Sequence, residues 1–171
     1  MFSNINTNIA AGDTYVSIEN LIGSQGSDNL RGTLGDNLIQ GQENVDYIFG
    51  RRGNDTLDGG IGDDVLFGGV GADRLDGGAN RDRAQYSESL TALVIDLLNP
   101  ANNTGEAAGD VYVSIGDRAG GFYADTISGD LGNNRLFGRE GADQLHGRDG
   151  NDYLNGGAHN DTLDGGVGND T

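Results

Sequence analysis

The chain has 171 residues, among them 32 glycines and one proline, no cysteine, and a net charge of −17 from 27 acidic and ten basic residues. Apolar content is 35%, too low for a large compact core, and the lack of cysteine excludes disulfides and thiolate metal sites. Such a charge repels nucleic acid and anionic membranes and opposes folding unless cations bind, which excludes nucleic acid and membrane insertion as partners.

In chain order, residues 1–22 are a lead-in that reads as N-terminal cap strands. The start, Met1-Phe2-Ser3-Asn4, has neither the charged nor the apolar region of a signal peptide. A first array fills residues 23–85 with seven nonapeptides in unbroken phase, from Gly23, Gly32, Gly41, Gly50, Gly59, Gly68 and Gly77. Residues 86–119 follow, with strand-like runs at Leu93–Leu98 and Val111–Ile115 around a loop rich in Asn, Pro and Gly. This inter-array segment is expected to continue the repeat structure or cap it. A second array occupies residues 120–171, opening at Gly120, Gly129, Gly138, Gly147, Gly156 and Gly165. It stops at Thr171 inside a repeat, as an excised piece of a longer protein would. A longer period of 97 residues places Ala10–Ile18 onto Ala107–Ile115 and Asp55 onto Asp152.

Glycine opens every nonapeptide. Position six is Asp in eleven of the thirteen units and Asn, at Asn37 and Asn134, in the others. Position eight is Leu or Ile except at Ala84. The spacing predicts six residues of glycine-rich turn and a three-residue strand pointing out, in, out. The inward residues are then Leu30, Ile39, Ile48, Leu57, Leu66, Leu75, Ile127, Leu136, Leu145, Leu154 and Leu163. One apolar side chain per nine residues cannot offset the entropy of ordering them, so another interaction has to hold the chain together.

If two units make one coil, unit n stacks on unit n+2. Nine stacked pairs follow, and Asp55 with Asp73, Asp64 with Asp82, Asp143 with Asp161, and Asp152 with Asp170 look strongest. Carboxylates stacked at the strand spacing of ~4.8 Å repel each other unless a cation lies between them. Carboxylate and carbonyl oxygens suit a hard ion such as Ca²⁺.

The units GGIGDDVLF from Gly59 and GGVGADRLD from Gly68 resemble the GGxGxDxUx nonapeptide of the RTX (repeats-in-toxin) calcium-binding family. The resemblance covers some two-thirds of the chain. It implies an all-β fold, a right-handed parallel β-roll with several Ca²⁺ ions in the turns. It also implies export by the type I system of a Gram-negative bacterium, with folding outside the cell as part of a larger secreted protein. The side-chain ligands carried over are Asp28, Asp46, Asp55, Asp64, Asp73, Asp82, Asp125, Asp143, Asp152, Asp161 and Asp170. Turn glycines Gly50, Gly53, Gly59, Gly60, Gly62, Gly68, Gly69 and Gly71 join them. Asn37 and Asn134 should weaken their bends. Gln42 and Asn44 stand where other units have glycine, Phe122 and Tyr123 interrupt another turn, and Arg51 and Arg52 add positive charge to a third.

The expected function is calcium binding, as a calcium-dependent folding module, and not catalysis. His146 and His159 sit in unrelated units, no triad is visible, and with no Lys the chain lacks the basic cluster of a polysaccharide lyase. The alternative is glycan binding: Tyr47, Phe49 and Phe67, with Val65, point outward on one sheet near Arg51, where sugar rings of an extracellular polysaccharide could stack.

Overall fold

The computed structural model describes residues 19–171. The lead-in match at Ala10–Ile18 lies outside them. Among the described residues there are sixteen strands: β1 (Asn20–Ile22), β2 (Asn29–Arg31), β3 (Leu38–Glu43), β4 (Tyr47–Arg52), β5 (Thr56–Ile61), β6 (Val65–Val70), β7 (Arg74–Ala79), β8 (Arg83–Gln85), β9 (Val94–Asp96), β10 (Val111–Val113), β11 (Asp117–Ala119), β12 (Thr126–Ser128), β13 (Arg135–Glu140), β14 (Gln144–His146), β15 (Tyr153–Ala158) and β16 (Thr162–Asp164). Among the same residues helix is limited to two 3₁₀ turns, Pro100–Asn102 and Gly105–Ala107.

The chain divides into two compact units. In the first, which runs to Ala84 and includes Asp110–Ile115, β1, β3, β5, β7 and β10 form one parallel sheet. Strands β2, β4, β6 and β8 form the other. Registers such as Leu38↔Thr56 and Tyr47↔Val65 are offset by 18 residues, two nonapeptides per coil. The inward column Leu30, Ile48, Leu66, Ala84 faces the column Ile39, Leu57, Leu75, and all seven are fully buried. In the second unit, β9, β12, β14 and β16 pair in parallel, as do β11, β13 and β15. The core there is Ile95, Ile127, Leu136, Leu145 and Leu154. Both units are parallel β-solenoids, and the roll expected from the repeats is the fold.

The inter-array segment continues the roll, through β10 on β7 and β9 on β12. Two sequence expectations need correction, and one inward position was not foreseen. Strands β3–β7, β13 and β15 are six residues long rather than three, running through position three of the next unit. Leu163, on edge strand β16, is 47% exposed instead of buried, because only one neighbouring strand covers it. The inward position of β11 holds Arg118, 3% exposed and aligned with Leu136.

Candidate metal centre

All nine n/n+2 pairs are present, and each is closed by a hydrogen bond. The backbone N–H of position six in one unit donates to a side-chain oxygen of position six two units on. Asp28 donates to Asp46 Oδ1 at 2.7 Å and Asn37 to Asp55 at 2.8 Å. Asp46 donates to Asp64 at 2.7 Å, Asp55 to Asp73 at 2.8 Å and Asp64 to Asp82 at 2.9 Å. In the second unit the steps are Asp125 to Asp143, Asn134 to Asp152, Asp143 to Asp161 and Asp152 to Asp170, at 2.8–2.9 Å. Strand pairing on both sides of each bend brings these groups into line, so the nine-residue phase becomes a vertical column of carboxylates.

One oxygen of each carboxylate is thereby used. The other, Oδ2, is buried without a hydrogen-bond partner in Asp46, Asp55, Asp64, Asp73, Asp143 and Asp152. Buried polar atoms in folded proteins are nearly always satisfied, so a repeated column of orphaned oxygens marks a missing partner. Backbone carbonyls crowd the same places. A Cβ added to Gly50 would run into Asp55 Oδ2 and lie 2.6 Å from the Gly68 oxygen; one on Gly59 would run into Asp64 Oδ2 and lie 2.6 Å from the Gly77 oxygen. At position four, a Cβ on Gly62 or Gly71 would overlap the carbonyl of Asn44 or Gly53, beside Asp64 or Asp73. Gly60 and Gly69 abut the carbonyls of Gln42 and Arg51 in the same way. Among the described residues no three carboxylate or imidazole side chains converge on one point, so carbonyls must supply most oxygens of any cation shell.

Burial pushes Asp46 and Asp55 up to about 7, and Asp73 to about 6, although the N–H donors from Asp28, Asn37 and Asp55 pull the other way. Burial raises Asp64, Asp125 and Asp143 as well. Neighbouring ladder carboxylates add to the rise at Asp46, Asp55 and Asp143. Without a cation these columns resist ionisation. A hard cation bound by carboxylates and carbonyls removes that penalty, and the oxygen set fits Ca²⁺.

The pattern of the RTX calcium-binding nonapeptide repeat matches four times, over residues 22–57, 49–84, 119–154 and 137–171. The chain belongs to this RTX family. No curated protein matches the chain.

The RTX bends come in two forms. In four of them the position-two N–H donates to the position-six side chain of its own unit: Ser24 to Asp28 Oδ2 at 2.6 Å, Thr33 to Asn37 Oδ1 at 2.6 Å, Gly121 to Asp125 Oδ2 and Asp130 to Asn134 Oδ1 at 2.8 Å. These closed bends are the first two of each array. In the other nine, position two is left-handed, from φ +78° at Arg148 to +101° at Gly60. The orphaned Oδ2 atoms named above all belong to these open bends. Gln42 (φ +95°), Asn44 (φ +69°) and Arg51 (φ +88°) keep the backbone of the glycines they replace.

One acidic residue outside the expected ligand set, Asp110, extends the ladder, and a second, Asp96, is held in a network of its own. Asp73 N–H donates to Asp110 Oδ1 at 2.9 Å, so Asp110 adds a rung 37 residues on. The signal was present: Asp110 precedes a Val-Tyr-Val strand triplet just as position six precedes its own. Asp96 accepts from Leu98 and Asn99 N–H and from Asn102 Nδ2, and pairs with Arg148 at 2.8 Å. Burial pushes its carboxyl up, but the hydrogen bonds and charge of Arg148, with Asn102 and Asn99, outweigh it and hold the group at about 2.

Tyr47, Phe49, Val65 and Phe67 lie side by side on one sheet, as expected. Phe49 and Phe67 stack on each other at 4.3 Å with an 11° interplanar angle, and the Arg31 guanidinium lies 4.6 Å from the Phe49 centroid. Both faces of Phe49 are therefore engaged within the protein and offer no platform to a sugar. Tyr47 is 45% exposed.

Proposed function

We propose that the chain is a calcium-dependent folding and spacer module of an extracellular protein, without catalytic activity of its own. The column of buried, partnerless Oδ2 atoms carries this reading. Asp46, Asp55, Asp64, Asp73, Asp143 and Asp152, with Asp82, Asp161 and Asp170 in the same ladder positions, would hold the ions together with glycine carbonyls of the bends. The cation supplies the charge compensation and oxygen coordination that the apolar seam lacks. Membership of the RTX family supports export through a type I system as part of a larger secreted protein: in a calcium-poor cytoplasm such a chain would stay unfolded, and outside the cell calcium would fold it. Among the described residues no helix is long and apolar enough to cross a membrane.

Far-UV circular dichroism with and without millimolar Ca²⁺ tests the reading. A disordered spectrum in chelator that converts to a β spectrum with calcium is expected. Full order after exhaustive EDTA treatment refutes it.

A further inference from the structure

We infer that calcium is taken only by the open bends, and that the two closed bends at the start of each array are built to do without it. The inference rests on the reading of ladder carboxylates as calcium ligands, and sorts the bends that use them from those that do not.

Three observations converge. In the closed bends, a backbone N–H at 2.6–2.8 Å occupies the oxygen that is orphaned in the open ones. At Asp28 the oxygen still outstanding is Oδ1, not the Oδ2 that is orphaned in the open bends. Second, both asparagines of the position-six column, Asn37 and Asn134, fall in closed bends. An amide oxygen accepts one N–H as well as a carboxylate does, but brings no charge to a divalent ion. The Asn134 amide also donates to Asp130 Oδ1 at 3.1 Å, and that of Asn37 to Thr33 Oγ1 at 3.2 Å, so each asparagine satisfies its own bend.

Third, a protein cation already reaches these two bends. Arg51 Nη1 donates to the Gly32 carbonyl at 3.4 Å, and Arg148 Nη1 donates to the Gly129 carbonyl. Both carbonyls belong to position one of the asparagine units, and both arginines come from position two of the unit stacked above. Arg139 occupies position two above the Gly120 unit, where position six is Asp125. An arginine alone therefore does not define the arrangement; it accompanies the asparagine.

The consequence is an array with a beginning. Each starts with two bends in which a backbone N–H takes the oxygen left orphaned in the bends that follow, and those later bends complete theirs with metal. The closed bends present a finished surface on which the first loaded coil can stack.

Calcium titration of the full chain by isothermal calorimetry, with calcium chloride as the probe and circular dichroism at saturation as the fold check, decides the matter. Asp125→Asn keeps at a closed bend the one acceptor oxygen that Asn37 and Asn134 use for the position-two N–H, and gives up the second, which accepts the Leu93 N–H at 2.8 Å. It should bind as many ions as the parent, with a midpoint within about threefold. Asp143→Asn, at an open bend, should lose at least one ion and raise the midpoint about tenfold or more, because affinity follows the charge count of the ligands. Loss of an ion in Asp125→Asn as in Asp143→Asn overturns the inference and leaves the calcium reading standing. Loss in neither variant overturns the ladder carboxylates as ligands altogether. If Asp125→Asn does not reach the parent fold at saturation, Asn37→Asp decides: an unchanged ion count supports the inference, and one additional ion overturns it.

Discussion

Gly59→Ala isolates the space between stacked bends from every backbone effect. Gly59 is not left-handed, so alanine suits its conformation. The added methyl carbon would nevertheless run into Asp64 Oδ2, with the Gly77 carbonyl oxygen at 2.6 Å and Asp64 Cβ at 3.0 Å. Asp64 cannot simply retreat, because its Oδ1 accepts the Asp46 N–H at 2.7 Å. Overpacking a tight site costs about 1–3 kcal/mol, which at about 1.4 kcal/mol per decade corresponds to roughly a 5- to 150-fold change in the folding equilibrium. Where several ions fold the chain together this change is shared among them, and the calcium midpoint should rise about two- to tenfold. Gly35→Ala is the control: nothing lies within 4 Å of its Cβ and its backbone is ordinary. It should titrate like the parent, or slightly better, since alanine restricts the unfolded chain. The assay is the calcium dependence of the far-UV β signal for all three proteins. If Gly59→Ala and Gly35→Ala give the same midpoint, the oxygens of the Asp64 bend do not form a confined site.

In EDTA, protonation should favour the roll. Asp46 and Asp55 are raised to about 7 from 3.8, so their contribution to the metal-free fold is fully present below about pH 4 and is lost as pH rises through 7. A pH titration in chelator should show β signal gained on acidification from 8 to 5, and a loss over that window contradicts the burial of these carboxylates. Asp96→Asn should cost about 2–4 kcal/mol in urea unfolding at saturating calcium, because it leaves Arg148 without its buried partner. The parent's share from Asp96 is present above about pH 4 and disappears only as pH falls through about 2. Gln42→Gly should stabilise by about 1 kcal/mol in the same assay, by relieving a left-handed side-chain-bearing residue at φ +95°.

Much of this architecture is legible in the sequence. The fixed phase of Gly, Asp and Leu sets the coil at 18 residues, and every predicted stacked pair, from Asp28 over Asp46 to Asp152 over Asp170, occurs. What escapes the sequence depends on neighbours. Strand length was underestimated because a left-handed residue ordinarily ends a strand. Here Gln42, Gly60 and Gly78 all share that conformation and lie in register, so the kink stacks and pairing continues through it. Asp110 was missed because the spacing breaks there, and the strand that follows it finds β7 from 37 residues away. The closed and open bends cannot be separated by residue type, since Gly121 and Gly60 are both position-two glycines that adopt opposite forms.

The glycines that open and follow each unit answer to different constraints, and this distinction explains the pattern of tolerance. No position-one glycine is left-handed, yet none of the thirteen units replaces it. Its constraint is room: in bend after bend the place of its missing Cβ is held by the position-six carboxylate and a carbonyl from the coil above. Position two needs the left-handed backbone in an open bend, and Gln42, Arg51, Arg139 and Arg148, each stacked on a closed bend, supply it at a modest conformational cost; stacked on another open bend, as at Gly60 and Gly69, it needs room as well, because a carbonyl of the neighbouring coil holds the place of the Cβ. Conformation can therefore be conceded where space cannot. A polypeptide that gives up a side chain at every ninth residue to keep carboxylate and carbonyl oxygens together, while burying only one apolar side chain in the same span, spends its sequence on coordination. On the proposed reading folding and cation binding form one equilibrium: the ordered bends would create the oxygen cluster, and the ion would remove the charge that otherwise drives them apart.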